Sequence, residues 1–255
     1  MMERILAGRV AIVTGAAAGM GAATGRLFAE AGAQVMLSDV AEDGAAVAEA
    51  IVAGGGSAAF FAADVSDEAA VRALVAETVA RFGRLDCAVN NARIGDGGRP
   101  LAELDMARFD RVMAVNVRGV ALGMKYQIAQ MMAQGDGGAI VNIASTASVR
   151  PRPNSPAYVA SKHAVIGLTK AGSLDYAPHG IRINAVMPGV IATPMVEETL
   201  ARLGKSEADV AAELSLLGRM GRPEEVAQAS LWLCSPAASF VTGHAMAVDA
   251  GLLAR

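Results

Sequence analysis

The chain has 255 residues, 53% of them hydrophobic and 18% charged, and a formal net charge of −3. So much apolar side chain excludes a disordered chain, and 28 glycines without a strict period exclude a collagen-like fibre. The 22 basic and 25 acidic side chains form no long run of either sign, which excludes the basic stripe that nucleic acid requires.

Residues 10–14 are a short β-branched apolar run, a predicted strand ended by Gly15. A helical pattern starts at the glycine cluster, carries Ala22, Ala23, Leu27, Phe28 and Ala31 on one side, and stops at Gly32. A second strand over 35–38 closes on Asp39, and a helix over 42–52 is broken by Gly54 to Gly56. A third strand over 58–62, a helix over 68–82 and a fourth strand over 85–89 follow, at the spacing of right-handed crossovers in a parallel sheet. Residues 104–134 read as one or two helices bent near Asn116. Strands over 139–143, 181–186 and 245–248 then alternate with helices over 156–177 and 224–233 and a looser helical region over 197–217. The expected fold is α/β, a single doubly wound Rossmann domain over 1–255 with a seven-stranded parallel sheet flanked by helices.

The turn Gly15-Ala16-Ala17-Ala18-Gly19-Met20-Gly21 joins the first strand to the first helix. Glycines there permit a tight turn and close backbone approach, and the helix N-terminus offers free N–H groups to a pyrophosphate. Asp39 ends the second strand, where a carboxylate accepts from both hydroxyls of an adenosine ribose and repels a 2′-phosphate. No arginine or lysine stands at 16–18 or at Val40 to receive that phosphate, so the cofactor is read as NAD. Asp64, with Val65 beside it, is expected at the adenine; the alternative is a cap for the helix at 68.

Tyr158 and Lys162 are four apart in a predicted helix and share a face. A tyrosine, whose phenolate ordinarily forms near pH 10, serves as an acid/base at neutral pH only where nearby positive charge favours that phenolate. Lys162 and a nicotinamide supply such charge, and the Ser145 hydroxyl is placed to hold the same substrate oxygen.

Thr14-Gly-x-x-x-Gly-x-Gly21, Asn90-Asn91-Ala92, Asn116, Ser145, Tyr158-x-x-x-Lys162 and Pro188-Gly189 recur in an order and spacing that resemble the short-chain dehydrogenase/reductase family over essentially the whole chain. The resemblance implies NAD(P)-dependent oxidation of an alcohol, or the reverse reduction of a ketone. It makes Tyr158 the general acid/base, Ser145 the substrate-oxygen donor and Lys162 the group that binds the nicotinamide ribose and tunes Tyr158. Asn116 becomes the holder of a water in the proton path to Lys162. The resemblance also places Asn90, Asn91 and Ala92 near the cofactor, and Val190, Ile191 and Thr193 against its carboxamide and phosphates. It implies a homotetramer, in keeping with the apolar excess.

Two positions depart from the family pattern. Arg93 replaces a glycine after Asn-Asn-Ala, so it is either strained or a guanidinium at the site entrance. Ala250 replaces the glycine before the last one, where only a small packing adjustment is expected. Residues 94–99, 146–155 and 190–217 are expected to build the pocket, the last covering the substrate, with Arg150 and Arg152 flanking a proline loop. His163, His179 and His244 have no metal-ligand spacing with Cys87 or Cys234, so no metal is expected. The unpaired cysteines, an N-terminus too interrupted for a signal peptide, and apolar stretches too short to span a bilayer suggest a cytoplasmic protein with no membrane partner. The expected partner is a small alcohol or ketone. A 3-oxoacyl thioester reductase, a sugar or polyol dehydrogenase, and a non-catalytic dinucleotide-binding scaffold are the alternatives.

Overall fold

The computed structural model describes residues 4–254. Its first half runs β1 (Val10–Thr14), α1 (Gly19–Glu30), β2 (Gln34–Asp39), α2 (Gly44–Ala53), β3 (Ser57–Ala62), α3 (Glu68–Phe82) and β4 (Cys87–Asn90). The second half runs α4 (Met106–Met113), α5 (Gly119–Gln134), β5 (Gly138–Ile143), α6 (Pro156–Tyr176), β6 (Ile181–Pro188), α7 (Pro194–Leu203), α8 (Glu207–Leu214), α9 (Pro223–Cys234) and β7 (Ala245–Val248). All strands are parallel, in the order β3-β2-β1-β4-β5-β6-β7. This is the expected seven-stranded doubly wound sheet, and the direction of winding reverses between β1 and β4. A crevice opens beyond the carboxyl ends of the strands at such a switch point.

Strand residues alternate between two apolar layers, as the period of two in a strand demands. Ala11 and Val13 of β1 face Leu27 and Phe28 of α1, Val47 and Ile51 of α2, and Val226 and Leu231 of α9. Ile12 faces the other way, into a layer with Leu74 of α3, Met124 and Ile128 of α5, and Val165 of α6. Among the described residues no helix is long and apolar enough to cross a membrane.

Local chemistry sets several boundaries. The Asp67 carboxylate accepts from the Ala69 N–H to begin α3, and Gly83 at φ +84° ends it. Capping α3 therefore falls to Asp67 and not to Asp64. The bend expected near Asn116 is a π-turn, Ala114–Arg118, joining α4 to α5. The looser region over 197–217 resolves into α7 and α8, the latter opened by a Ser206–Asp209 capping box.

The two departures from the family pattern exchange roles. Asn154 and Ala250 are the described non-glycine residues with positive φ, so Arg93 carries no left-handed strain. Ala250 sits at φ +51°, where glycine is the natural residue, held by a turn in which the Asp249 carboxylate accepts from the Gly251 and Leu253 N–H groups. More than an added methyl is therefore involved at Ala250. A left-handed alanine costs about 1–2 kcal/mol, against about 0.5–1 kcal/mol for the extra freedom a glycine loses on folding. Ala250→Gly is expected to raise stability by about 0.5–1 kcal/mol, seen as a melting temperature higher by roughly 1–4 °C. A lower melting temperature would contradict the strain at this position.

Candidate active site

The carboxyl ends of β1 to β4 border a cleft of about 350 Å³. Gly15, Ala18, Met20, Asp39, Asp64, Val65, Asn91, Ala92 and Thr193 line it, nine of the residues singled out from the sequence. Gly15 has φ +67°, and a Cβ there would lie 2.7 Å from the Cα of Ala92. A Cβ on Gly21 would run into the Gly15 carbonyl oxygen, so Gly21 acts from beneath the turn, where helix meets strand. The Asn91 side chain fixes this turn by donating from Nδ2 to the carbonyls of Thr14 and Gly15, each at 3.0 Å. The Thr14 hydroxyl in turn accepts from the backbone N–H groups of Asn91 and Ala92.

Two features of the cleft fit a dinucleotide. Ala18 begins α1 with no side-chain cap and no acidic residue in the first turn, which leaves the N-terminal N–H groups and their positive dipole end for an anion. Beside Gly19 at that helix start, the buried Thr193 Oγ1 has no hydrogen-bond partner among the described residues, a state a buried hydroxyl rarely keeps without a ligand or water. The Asp39 carboxylate accepts from the Ala17 N–H at 3.0 Å and the Ala41 N–H at 3.1 Å, which fixes it at the cleft edge. Asp64 is held more fully. Its Oδ1 accepts from the Ser66 N–H and hydroxyl, and its Oδ2 takes Arg111 at 2.9 Å. Partial burial raises its pKa, but these Ser66 and Arg111 contacts prevail and hold the carboxyl below its usual range.

At the chemical end, Ser145 starts a short 3₁₀ turn and its Oγ accepts from the Ala147 N–H. Tyr158 and Lys162 lie one turn apart on α6, both buried. The Lys162 ammonium stands 5.8 Å from the centre of the Tyr158 ring and donates to the Ile143 carbonyl at 2.7 Å, at the carboxyl end of β5. Burial, and then the repulsion of Arg93, push its pKa down to about 7. The Asn116 carboxamide accepts from the Ile94 N–H, donates to the Ile94 carbonyl and reaches the Ser161 hydroxyl. It thus pins the segment after β4 to the helix that carries Lys162.

Other expected positions lie elsewhere. Asn90 points away from the cleft into a buried amide network with Gln127 and Asn142, which reaches Thr169. Pro188 ends β6, and Gly189 allows close packing on Asp249. Val190 and Ile191 border a separate cavity of about 290 Å³ under α8, and the backbone at 190–192 is paired with Gly221. Sequence reading missed Ser66 and Arg111 as braces of Asp64. It also missed Asp96, whose carboxylate accepts from the Tyr158 N–H, and the contact of Arg93 with the Met195 sulfur across the cleft. Ser66 lies two residues from Asp64, a local turn signal that could have been read; the other three contacts join segments tens of residues apart.

A family model described as enoyl-(acyl carrier protein) reductase matches residues 15–253. The chain is 46% identical over 250 residues to a 2,5-dichloro-2,5-cyclohexadiene-1,4-diol dehydrogenase of Sphingobium indicum, covering 98% of each. It is 45% identical over 256 residues to a cis-4-hydroxycyclohexanecarboxylate dehydrogenase of Sinomonas cyclohexanicum, covering 99% of this chain and 100% of that one. A solved structure from Beutenbergia cavernae with NADP bound at low occupancy superposes with a TM-score of 0.91 at 37% identity, covering 98% of each chain.

The buried Lys162 ammonium has a consequence for stability. Its folded pKa lies below the ordinary lysine value, so between about pH 7 and pH 10 the native chain binds fewer protons than the unfolded one. The burial penalty is therefore fully felt below pH 7 and relieved as pH rises through that window. Lys162→Met is expected to gain stability relative to the parent as pH falls from 9.5 to 7, measured by thermal melts at both values. A difference that does not change with pH would contradict the buried charge.

Proposed function

This chain belongs to the short-chain dehydrogenase/reductase family, and on that premise we propose that it is an NAD-dependent dehydrogenase interconverting a ring-borne secondary alcohol and its ketone. The observation that carries the reading is the Tyr158–Lys162 pair on α6, with the ammonium 5.8 Å from the ring centre. The ring-borne alcohol rests on the cyclohexadienediol and hydroxycyclohexane substrates named for the two relatives.

Gly15, Ala18, Met20 and Gly21 would seat the pyrophosphate, Asp39 the adenosine ribose, and Asp64 and Val65 the adenine. Asn91, Ala92, Pro188, Gly189, Val190, Ile191 and Thr193 would lie along the nicotinamide half, with Tyr158 and Lys162 at its ribose. When bound, the nicotinamide supplies the hydride acceptor. Ser145 Oγ and Tyr158 Oη hold the alcohol oxygen, and Tyr158 takes its proton as hydride leaves the carbon. Lys162, with a pKa of about 7, passes that proton onward near neutral pH. Asn116 Oδ1 keeps a second lone pair for a water on that path.

Asp39 supports NAD over NADP, because a 2′-phosphate at the cleft edge would meet a carboxylate and no cation at Ala17, Ala18 or Val40. The segment over 190–217 would cover the substrate. Exposed Leu174, Phe240 and Trp232 fit a homotetramer. A second reading, reduction of a 3-oxoacyl thioester with NADPH, shares the acyl thioester, though not the enoyl double bond, with the description of the matching family model.

Tyr158→Phe is expected to lose about 10³-fold in kcat while its NADH Kd stays within about threefold of the parent. Near-normal turnover would remove Tyr158 from the acid/base role. The kcat/KM with NAD is expected to exceed that with NADP about a hundredfold, and Asp39→Ser with Val40→Arg to erase that gap. A parent enzyme that prefers NADPH and a 3-oxoacyl thioester would establish the second reading.

A further inference from the structure

Two cations approach the Tyr158 ring, and a third is close enough to act on one of them. The Arg152 guanidinium carbon lies 5.4 Å from the centre of the Tyr158 ring, the ring that Lys162 approaches at 5.8 Å. Arg93 stands on the lip of the cleft close enough for its charge to be felt at Lys162. Lys162 donates to a backbone carbonyl, and among the described residues the hydrogen-bond contact of Arg93 is the thioether sulfur of Met195, a weak acceptor. No carboxylate forms an ion pair with Arg93, Arg152 or Lys162 among the described residues. Most other arginines that line or flank this end of the sheet do have such partners: Arg111 with Asp64, Arg118 with Glu68, Arg99 with Glu103.

The acid near this cluster is Asp96, whose Oδ2 accepts from the Tyr158 backbone N–H at 3.1 Å. An oxidised nicotinamide would add a further positive charge, and the glycine turn would hold the dinucleotide phosphates. Like charges held together in a partly dry site repel, and the repulsion is relieved when an anion binds among them. A planar guanidinium is the group suited to a carboxylate, through two parallel hydrogen bonds.

We propose that the substrate is an anionic alcohol, a hydroxy acid whose carboxylate is held by Arg152 with Arg93 behind it while its carbinol meets Ser145 and Tyr158. The assignment rests on the dehydrogenase reading of the same site. It makes Arg152 and Arg93 specificity-determining residues, and Arg93 thereby gains a use for the guanidinium that stands in place of the family's glycine.

The test separates the two claims. Cyclohexanecarboxylate and its neutral isostere cyclohexanecarboxamide are titrated calorimetrically into the enzyme with NADH bound, and NADH formation is followed with the 4-hydroxy derivative of each. The acid is expected to bind at least about tenfold more tightly than the amide, one charge-assisted pair's worth of affinity. The same preference is expected in kcat/KM. Arg152→Gln should reduce it below about threefold, and Arg152→Lys, which keeps the charge but not the two parallel hydrogen bonds, should keep only part of it. Equal binding of acid and amide would overturn the proposal. So would an Arg152→Gln variant that keeps the preference and instead moves the pH profile of kcat, which would make Arg152 a positioning residue for Tyr158. Preferential binding of the acid with no NADH formed from either hydroxy compound would uphold the carboxylate site and refute the dehydrogenase reading.

Discussion

The Asn91 carboxamide, donating to the carbonyls of both Thr14 and Gly15, is the contact on which the nucleotide end of this molecule depends. It closes β4 onto the end of β1 at the point where the sheet reverses its winding. The backbones approach so closely there that a Cβ on Gly15 would collide with Ala92, and one on Gly21 with the Gly15 carbonyl oxygen. Once the turn is fixed, α1 must begin at Ala18 with its first N–H groups uncapped, and the Asp39 carboxylate can reach the Ala17 N–H from β2. A crevice with a positive dipole end and a carboxylate rim follows from the packing, before any ligand is considered.

The chemical end depends on a different physical tension. Lys162 is almost fully buried, and its ammonium leans on a single carbonyl at the end of β5. Desolvation costs a charge far more than one hydrogen bond returns, so the group is brought to the edge of deprotonation near neutral pH. That poise is useful in a proton path and costly anywhere else. The Asn116 π-turn is part of the same arrangement, since its carboxamide clamps Ile94 and Ser161 and so fixes the wall beside Lys162. A helix defect retained at such a position is typical of a functional site.

Much of this was legible in the sequence because it is local. β1 and β7 follow from short apolar runs, and α3 from a helical pattern ended by Gly83. The bend near Asn116 shows in a helical stretch too long to be straight. What was not legible depends on distant segments. For Asp64 the helix cap stays open as the alternative to an adenine ligand until Arg111 and Ser66 are seen to hold it and Asp67 is seen to cap α3. Asn90 belongs to the same tripeptide as Asn91, yet the alternation of a strand sends it into the Gln127–Asn142 network. At Arg93 and Ala250 both substitutions for glycine were visible, but only backbone geometry reveals that the left-handed strain falls on Ala250.

The central claim is direct hydride transfer from an alcohol carbon within the Tyr158 site. Incubating the enzyme with NAD and a ring alcohol deuterated at its carbinol carbon, then analysing the reduced cofactor by mass spectrometry, tests it most directly. One deuterium per NADH, on a single face of nicotinamide C4, is the predicted result. NADH formed without deuterium, or cofactor that binds and is never reduced by any alcohol, would contradict the account.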